Sequence, residues 1–440
     1  MTTSRRSNVE RADVVALDKR YVWHPYTQMS KYAAPENDPF VVDHAAGPYL
    51  FDRDGKRYID ANSSWWVAVL GHNHPRLVRA LADQAATLCH ASLAGVTHAP
   101  AALLAERLAA VAPRGLEHVF FSDDGSTAIE AALKMALGYH RQRGAERTLF
   151  VALGDAFHGE TLGVTALGGV ELFRRPFEAV LMKVAHVRPP AATEGADGAA
   201  AAELRAFFEE RGADVAAMVV EPLLQGASGM NPYPAWYLRL ARELCDRSGA
   251  LLVSDEVFTG YGRVGAMWAC SLAGVVPDIV CTAKGFSGGM LPMAATLAND
   301  RVFDAFLGAP ERAFFYGHSF TGNPLGARVA LEVLDVFEDE GVLAGIPERA
   351  RRIAQSFERL TAIAGVSRPR SIGMVGAVNV SESAAYLGGA GWRVHTEARA
   401  RGLYLRPLGD VVYIAPPVNI PLDALDELLS GVEASLRAAL

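Results

Sequence analysis

Short apolar runs bounded by turn residues fill the middle of the chain, and longer stretches of helical period separate them. The runs at 119–121, 149–153, 217–220, 251–253 and 279–281 are apolar at successive positions. Strands of that kind belong to sheets covered on both faces, and their alternation with helical segments argues for crossover units on a mostly parallel sheet. The pattern holds from about Asn62 to Ala330. Before it, 40–42, 49–51 and 57–59 read as short strands, the last two joined through Asp52, Arg53, Asp54 and Gly55, which gives a small meander. After Gly326 one long helical pattern runs toward Leu360, strands follow at 373–380 and 411–415, and an amphipathic helix closes the chain at 422–440. The stretch 189–202, rich in alanine, proline and glycine, reads as a surface loop. The expected fold is α/β: a large domain at 62–330 around a mostly parallel central sheet, and a smaller α+β domain built from both chain ends, 1–61 and 331–440.

Composition narrows the picture. A chain of 440 residues is too long for one ordinary core, and 50% hydrophobic against 21% charged residues describes a globular protein. The formal net charge of −7 leaves no broad basic field for nucleic acid, so small molecules are the expected partners. No run of 18 uncharged apolar residues appears and Met1 to Arg20 lacks a signal-peptide core, so no membrane association and a cytoplasmic location are expected. Four cysteines without a CxxC pair and twelve histidines without HExxH spacing argue against a structural metal or a disulfide framework. Buried free thiols are the expectation.

The candidate chemistry lies at strand ends, where open α/β sheets bind ligands. The run at 251–253 ends in Ser254, Asp255, Glu256 and Val257, and the run at 279–281 ends in Thr282, Ala283, Lys284 and Gly285. Lys284 is one of six lysines among 42 basic residues, in a glycine-flanked, otherwise uncharged stretch. Desolvated lysine can lose its proton, as Schiff-base formation requires, whereas arginine cannot. An aspartate near such a lysine suits pyridoxal phosphate, whose pyridine nitrogen a carboxylate keeps protonated. The competing account is a buried structural ion pair. Upstream, Asp124, Gly125, Ser126 and Thr127 precede a helical run at 128–139, which makes either an anion site at a helix N-terminus or a simple N-cap. Phe157, after another apolar run, could stack on a flat heterocycle or belong to the core.

In this order, together with Glu221 and Pro222, these pieces resemble the class III pyridoxal-phosphate aminotransferases of fold type I. The resemblance implies that Lys284 carries the cofactor and that Asp255 pairs with its ring nitrogen. It further implies that Gly125 and Ser126 hold the phosphate and that Phe157 and Val257 cover the two ring faces. A homodimer with shared active sites is implied as well, the partner subunit completing the phosphate site through a segment like Gly317, His318, Ser319, Phe320, Thr321, Gly322 and Asn323.

Three further segments are similar to the biotin-synthesis branch of that class: Trp23 to Met29 with Tyr26, the pair Trp65 and Trp66 followed by Gly71 to Pro75, and Leu405 to Gly409 with Arg406. The branch aminates 8-amino-7-oxononanoate to 7,8-diaminononanoate. Its acceptor, an apolar chain ending in a carboxylate, matches an aromatic slot with one arginine at its end. The expected substrate contacts are thus Tyr26, Trp65, Trp66, Phe157, Gly317 and Arg406, and the expected cofactor contacts include His318 and Ser319. An aromatic core pair and a surface arginine are the plainer accounts of the tryptophans and Arg406. Phenylalanine stands at 157 where the branch commonly has tyrosine, and this leaves the amine donor open between S-adenosylmethionine and lysine. An ω-amino acid or diamine aminotransferase is the alternative within the class.

Overall fold

The computed structural model describes residues 13–382 and 385–440. Its centre is a seven-stranded sheet in the spatial order Leu116–Ser122, Ala294–Asn299, Ile279–Thr282, Leu251–Asp255, Val215–Val220, Leu149–Leu153 and Val184–Val187. Ala294–Asn299 runs antiparallel to both of its neighbours; the remaining pairings are parallel. Every residue of Val215–Val220, Leu251–Asp255 and Ile279–Thr282 is buried, as continuous apolar runs require when helices cover both faces.

The meander forms from Val42–Ala46, Tyr49–Asp52 and Arg57–Asp60, and Leu403–Tyr404 adds to it in parallel, so one four-stranded sheet draws on both ends of the chain. Its first strand lies later than the expected 40–42. Four more expectations need correction. The long helix after Gly326 is two helices, Pro324–Asp339 and Ile346–Arg359, broken where Gly341 takes φ +58°. The strand expected at 373–380 is Val375–Asn379, the second arm of a hairpin with Ser367–Ile372 that turns at Gly373. The expected loop at 189–202 ends early, because Ala199–Arg211 is helical. Of the cysteines, Cys245, Cys270 and Cys281 are buried and Cys89 is exposed, contrary to expectation. The final helix, Leu422–Ala439, buries Leu425, Leu428, Val432 and Leu436 along one face.

Candidate active site

Strand ends and one strained turn assemble the site. Leu251–Asp255 and Ile279–Thr282 are parallel neighbours, with Asp255 paired in register to Cys281, so their C-terminal ends open on the same side. Lys284 follows at φ +48°, a left-handed conformation that costs an L-residue roughly 1–2 kcal/mol. Ser63, Ser64, Trp65 and Trp66 all have positive φ as well, at +48°, +45°, +65° and +75°. The buried Asp60 carboxylate holds this turn: it accepts from the backbone N–H of Asn62 and Ser64, from Ser64 Oγ and from His72 Nε2. Ser63 Oγ donates to Ala415 O and Trp66 Nε1 to the Tyr413 hydroxyl. Hydrogen bonds to a charged group are worth about 1.5–3 kcal/mol each, enough to offset the strain.

A cavity of about 530 Å³ lies against these elements, within the usual range for small-molecule sites. Lys284, Asp255, Gly125, Ser126, Phe157, Val257 and Trp66 all line it, together with His158, Glu160 and Glu221. Lys284 Nζ sits 5.2 Å from the Trp66 ring centroid. Burial holds its pKa below the ordinary lysine value, against the opposing pull of Asp255, Glu221 and Asp124. Asp255 is fixed on both oxygens: Oδ1 accepts from Val257 N at 3.0 Å, and Oδ2 lies 2.7 Å from His158 Nδ1. A carboxylate only accepts, so the imidazole donates there, which leaves the buried His158 Nε2 without a partner among the described residues. Glu221, also buried, accepts from Phe157 N and Gly226 N, and burial pushes its pKa up to about 7.

The helix Gly125–Gln142 starts at the cavity. Its N-cap is Asp124, which forms a capping box with Thr127, so the N–H groups of Gly125 and Ser126 lack intrahelical acceptors and suit an anion. The packing there admits no side chain. A Cβ on Gly125 would meet Val257 Cγ1 at 2.7 Å, and a Cβ on Gly159 would meet Ser126 Oγ at 2.3 Å. A phosphate cradle, a buried lysine and an oriented carboxylate thus occur together, and these residues fit pyridoxal phosphate.

Of the expected substrate residues, Trp66 and Phe157 line the cavity itself, while Tyr26 and Trp65 join Phe157 through Phe173 in an aromatic wall beside it. Tyr26 is 5.4 Å from Trp65 and 5.5 Å from Phe173, and Phe173 is 5.9 Å from Phe157. The Tyr26 hydroxyl donates to Glu160. The Arg406 guanidinium carbon lies 4.7 Å from the Trp65 centroid, and Arg406 N–H donates to Asn62 Oδ1. None of residues 317–319 lines the cavity of its own chain, although His318 Nδ1 is 3.4 Å from Oδ2 of Asp123, which does; His318 N donates to Thr321 Oγ1.

Sequence reasoning missed His158, Glu160, Phe173 and Tyr386. His158 was visible in the run Gly154 to Gly159 but its target lies 97 positions away. Tyr386, 5.0 Å from Phe173, comes from a segment without periodicity.

The family model for class III aminotransferases matches residues 32–436. A protein of Geobacter sulfurreducens named adenosylmethionine-8-amino-7-oxononanoate aminotransferase is 40% identical over 438 residues, 96% of each chain. One of the same name from Nitratidesulfovibrio vulgaris is 42% identical over 96% of this chain and 81% of its own. Among solved structures, the Methanocaldococcus jannaschii protein of that name superposes with a TM-score of 0.92 at 33% identity, over 98% of this chain and 99% of its own. An amine transaminase from an uncultivated Pseudomonas species, solved with pyridoxal phosphate bound, gives 0.88 at 31% identity, over 96% and 99%.

Proposed function

The chain belongs to the class III aminotransferases, whose cofactor is pyridoxal phosphate, and we propose that it aminates 8-amino-7-oxononanoate to 7,8-diaminononanoate for biotin synthesis. The observation that carries this reading is Arg406. Among the described residues its guanidinium has no hydrogen bond or ion pair, and it lies against Trp65 of the aromatic wall, while the next residue, Trp66, faces Lys284. A substrate with a carboxylate separated by an apolar chain from its reacting carbon fits that arrangement in shape and charge. The relatives' names supply the acceptor and favour S-adenosylmethionine as donor.

Bound pyridoxal phosphate supplies a conjugated ring that takes up the electron pair left when the amine-bearing carbon loses its proton. This chain's residues do the rest. Lys284 Nζ, more readily neutral because it is desolvated, would hold the cofactor as the attaching nucleophile and would serve as the base that carries the proton. Asp255, oriented by His158 and Val257 N–H, would keep the pyridine nitrogen protonated. The N–H groups of Gly125 and Ser126 would hold the phosphate, and Phe157 and Val257 would cover the ring. Phe157 has no hydroxyl to offer a donor, so recognition of a cationic amine falls to Tyr26 and Glu160. A second copy of the chain would complete the phosphate site with Gly317, His318 and Ser319. The same reading assigns 62–330 to the cofactor-binding domain, places 1–61 and 331–440 together as the smaller one, and locates the enzyme in the cytoplasm.

The test is a pair of half-reactions followed through the cofactor's visible absorbance. S-adenosylmethionine and then lysine are offered to the purified protein, and 8-amino-7-oxononanoate is added to the product. Lys284→Ala should abolish both halves, and transamination surviving in it would sink the assignment. Arg406→Ala should raise KM for the oxo acid at least tenfold. An ω-amino acid or diamine aminotransferase would accept short amines and be indifferent to Arg406.

A further inference from the structure

Arg406 is held in an uncommon way. Besides Trp65, its guanidinium carbon lies 5.9 Å from the ring centroid of Trp392, and no acceptor among the described residues takes any of its side-chain N–H groups. Trp392 belongs to the helix Ala390–Ala400, far from the other site residues in sequence. Two ties fix that helix against Arg406. The buried Asp410 carboxylate accepts from Ala390 N and Gly391 N at the helix start. One turn later, His395 packs 5.3 Å from Trp392, and its Nδ1 lies 2.7 Å from the carbonyl oxygen of Leu405, the residue before Arg406.

An arginine without partners loses side-chain freedom when it grips a ligand, and that loss weakens binding. A carboxylate neighbour would order the side chain but would occupy the donors that the ligand needs. Aromatic faces order it while leaving the N–H edge open. We propose that Trp392 is a positioning residue that pre-orders the Arg406 guanidinium and thereby sets this chain's preference for acceptors ending in a negative charge. The proposal rests on the reading of Arg406 as the carboxylate site.

The experiment compares the loaded wild-type enzyme with Trp392→Leu, Trp392→Phe and Arg406→Ala, using 8-amino-7-oxononanoate and its methyl ester as acceptors. Trp392→Leu keeps apolar bulk but has no ring face. It should raise KM for the acid about two- to fivefold, the size of one cation–π contact, with kcat within twofold and the ester unaffected. Trp392→Phe, which retains a ring, should restore most of the loss at an unchanged melting temperature. Equal changes for acid and ester, or no change for either, would overturn the positioning role. Arg406→Ala separates the two ideas. If it erases the preference for the acid while Trp392→Leu preserves it, only Trp392's role falls; if it too preserves the preference, the reading of Arg406 itself is wrong.

Discussion

Gly125→Ala isolates the packing that shapes the floor of the site. Gly125 opens the helix Gly125–Gln142 with a φ outside the left-handed region, so alanine fits the backbone there without strain. In the open, the change should stabilise the protein by about 0.4–1 kcal/mol, because alanine restricts the unfolded chain. The space is not open. The new Cβ would come to 2.7 Å from Val257 Cγ1 and 3.1 Å from Cγ2. Ordinary carbon contacts lie at about 3.5–4.0 Å, so Val257 must move, and overpacking of this kind costs about 1–3 kcal/mol. The backbone N–H of Val257 is tied to Asp255 Oδ1, so the side chain cannot retreat freely. The net expectation is a loss of about 1–2 kcal/mol. At about 2.1 cal/mol/K per residue, this chain's melting temperature should fall on the order of 1 °C per kcal/mol.

A second background decides the cause. Val257→Ala removes both Cγ atoms, and the distance from the new Cβ to the Val257 Cβ position is an ordinary 3.5 Å. Gly125→Ala should therefore lower the melting temperature in the wild type and raise it slightly in Val257→Ala, a reversal of sign within one double-mutant cycle. The assay is thermal unfolding of the four cofactor-free proteins, so that no phosphate contact enters. If Gly125→Ala shifts both backgrounds in the same direction by the same amount, the contact with Val257 is not what excludes a side chain.

Two further outcomes follow from buried charges near the site. Glu221, pushed up to about 7 from 4.5, binds more protons in the folded than in the unfolded state between those values, so its contribution to stability falls as pH rises through that window. The full change is about 3 kcal/mol at 1.36 kcal/mol per unit. In the cofactor-free protein Glu221→Gln should lose stability at pH 5, where one backbone N–H loses its acceptor, and should show a flatter profile up to pH 8; parallel profiles would reject the buried carboxyl as their source. Arg370, whose pKa burial lowers to about 10, donates to Gly229 O, Met230 O and Asn379 Oδ1 and so clamps a turn whose Gly226 and Ala227 line the cavity. Arg370→Met should cost about 2–4 kcal/mol in unpaired acceptors and open residues 226–230 to limited proteolysis, and an undigested loop would count against the clamp.

The legible parts of the chain were those that local chemistry determines. A strand apolar on both faces announces a covered sheet, so Leu149–Leu153 and Leu251–Asp255 could be placed closely, and a lone lysine in an uncharged glycine-flanked stretch announced Lys284. Val184–Val187 and Ala294–Asn299 were missed because their runs are short or alanine-rich and only the neighbouring strands make them strands. The break after Asp339 was missed because the helical pattern continues across it; the turn lies in the left-handed φ of Gly341. His158 and Trp392 were out of reach for a different reason. Each acts on a residue that the fold, not the sequence interval, brings near: Asp255 for one and Arg406 for the other.

The left-handed turn at 63–66 shows why the two ends of the site depend on one short segment. Trp65 and Trp66 are consecutive, yet Trp65 reaches Arg406 and Tyr26, and Trp66 reaches Lys284 and Phe258. The left-handed turn presents the two rings to Arg406 and to Lys284, at roughly 1–2 kcal/mol of strain for each of four residues. Strain of that size persists only where the surroundings over-determine it, and here the surroundings are the buried Asp60 with its four donors. No hydrogen bond or ion pair among the described residues joins Asp60 to Lys284 or Arg406, and it bears on both through the turn it holds, which sets Trp66 beside the amine and Trp65 beside the guanidinium.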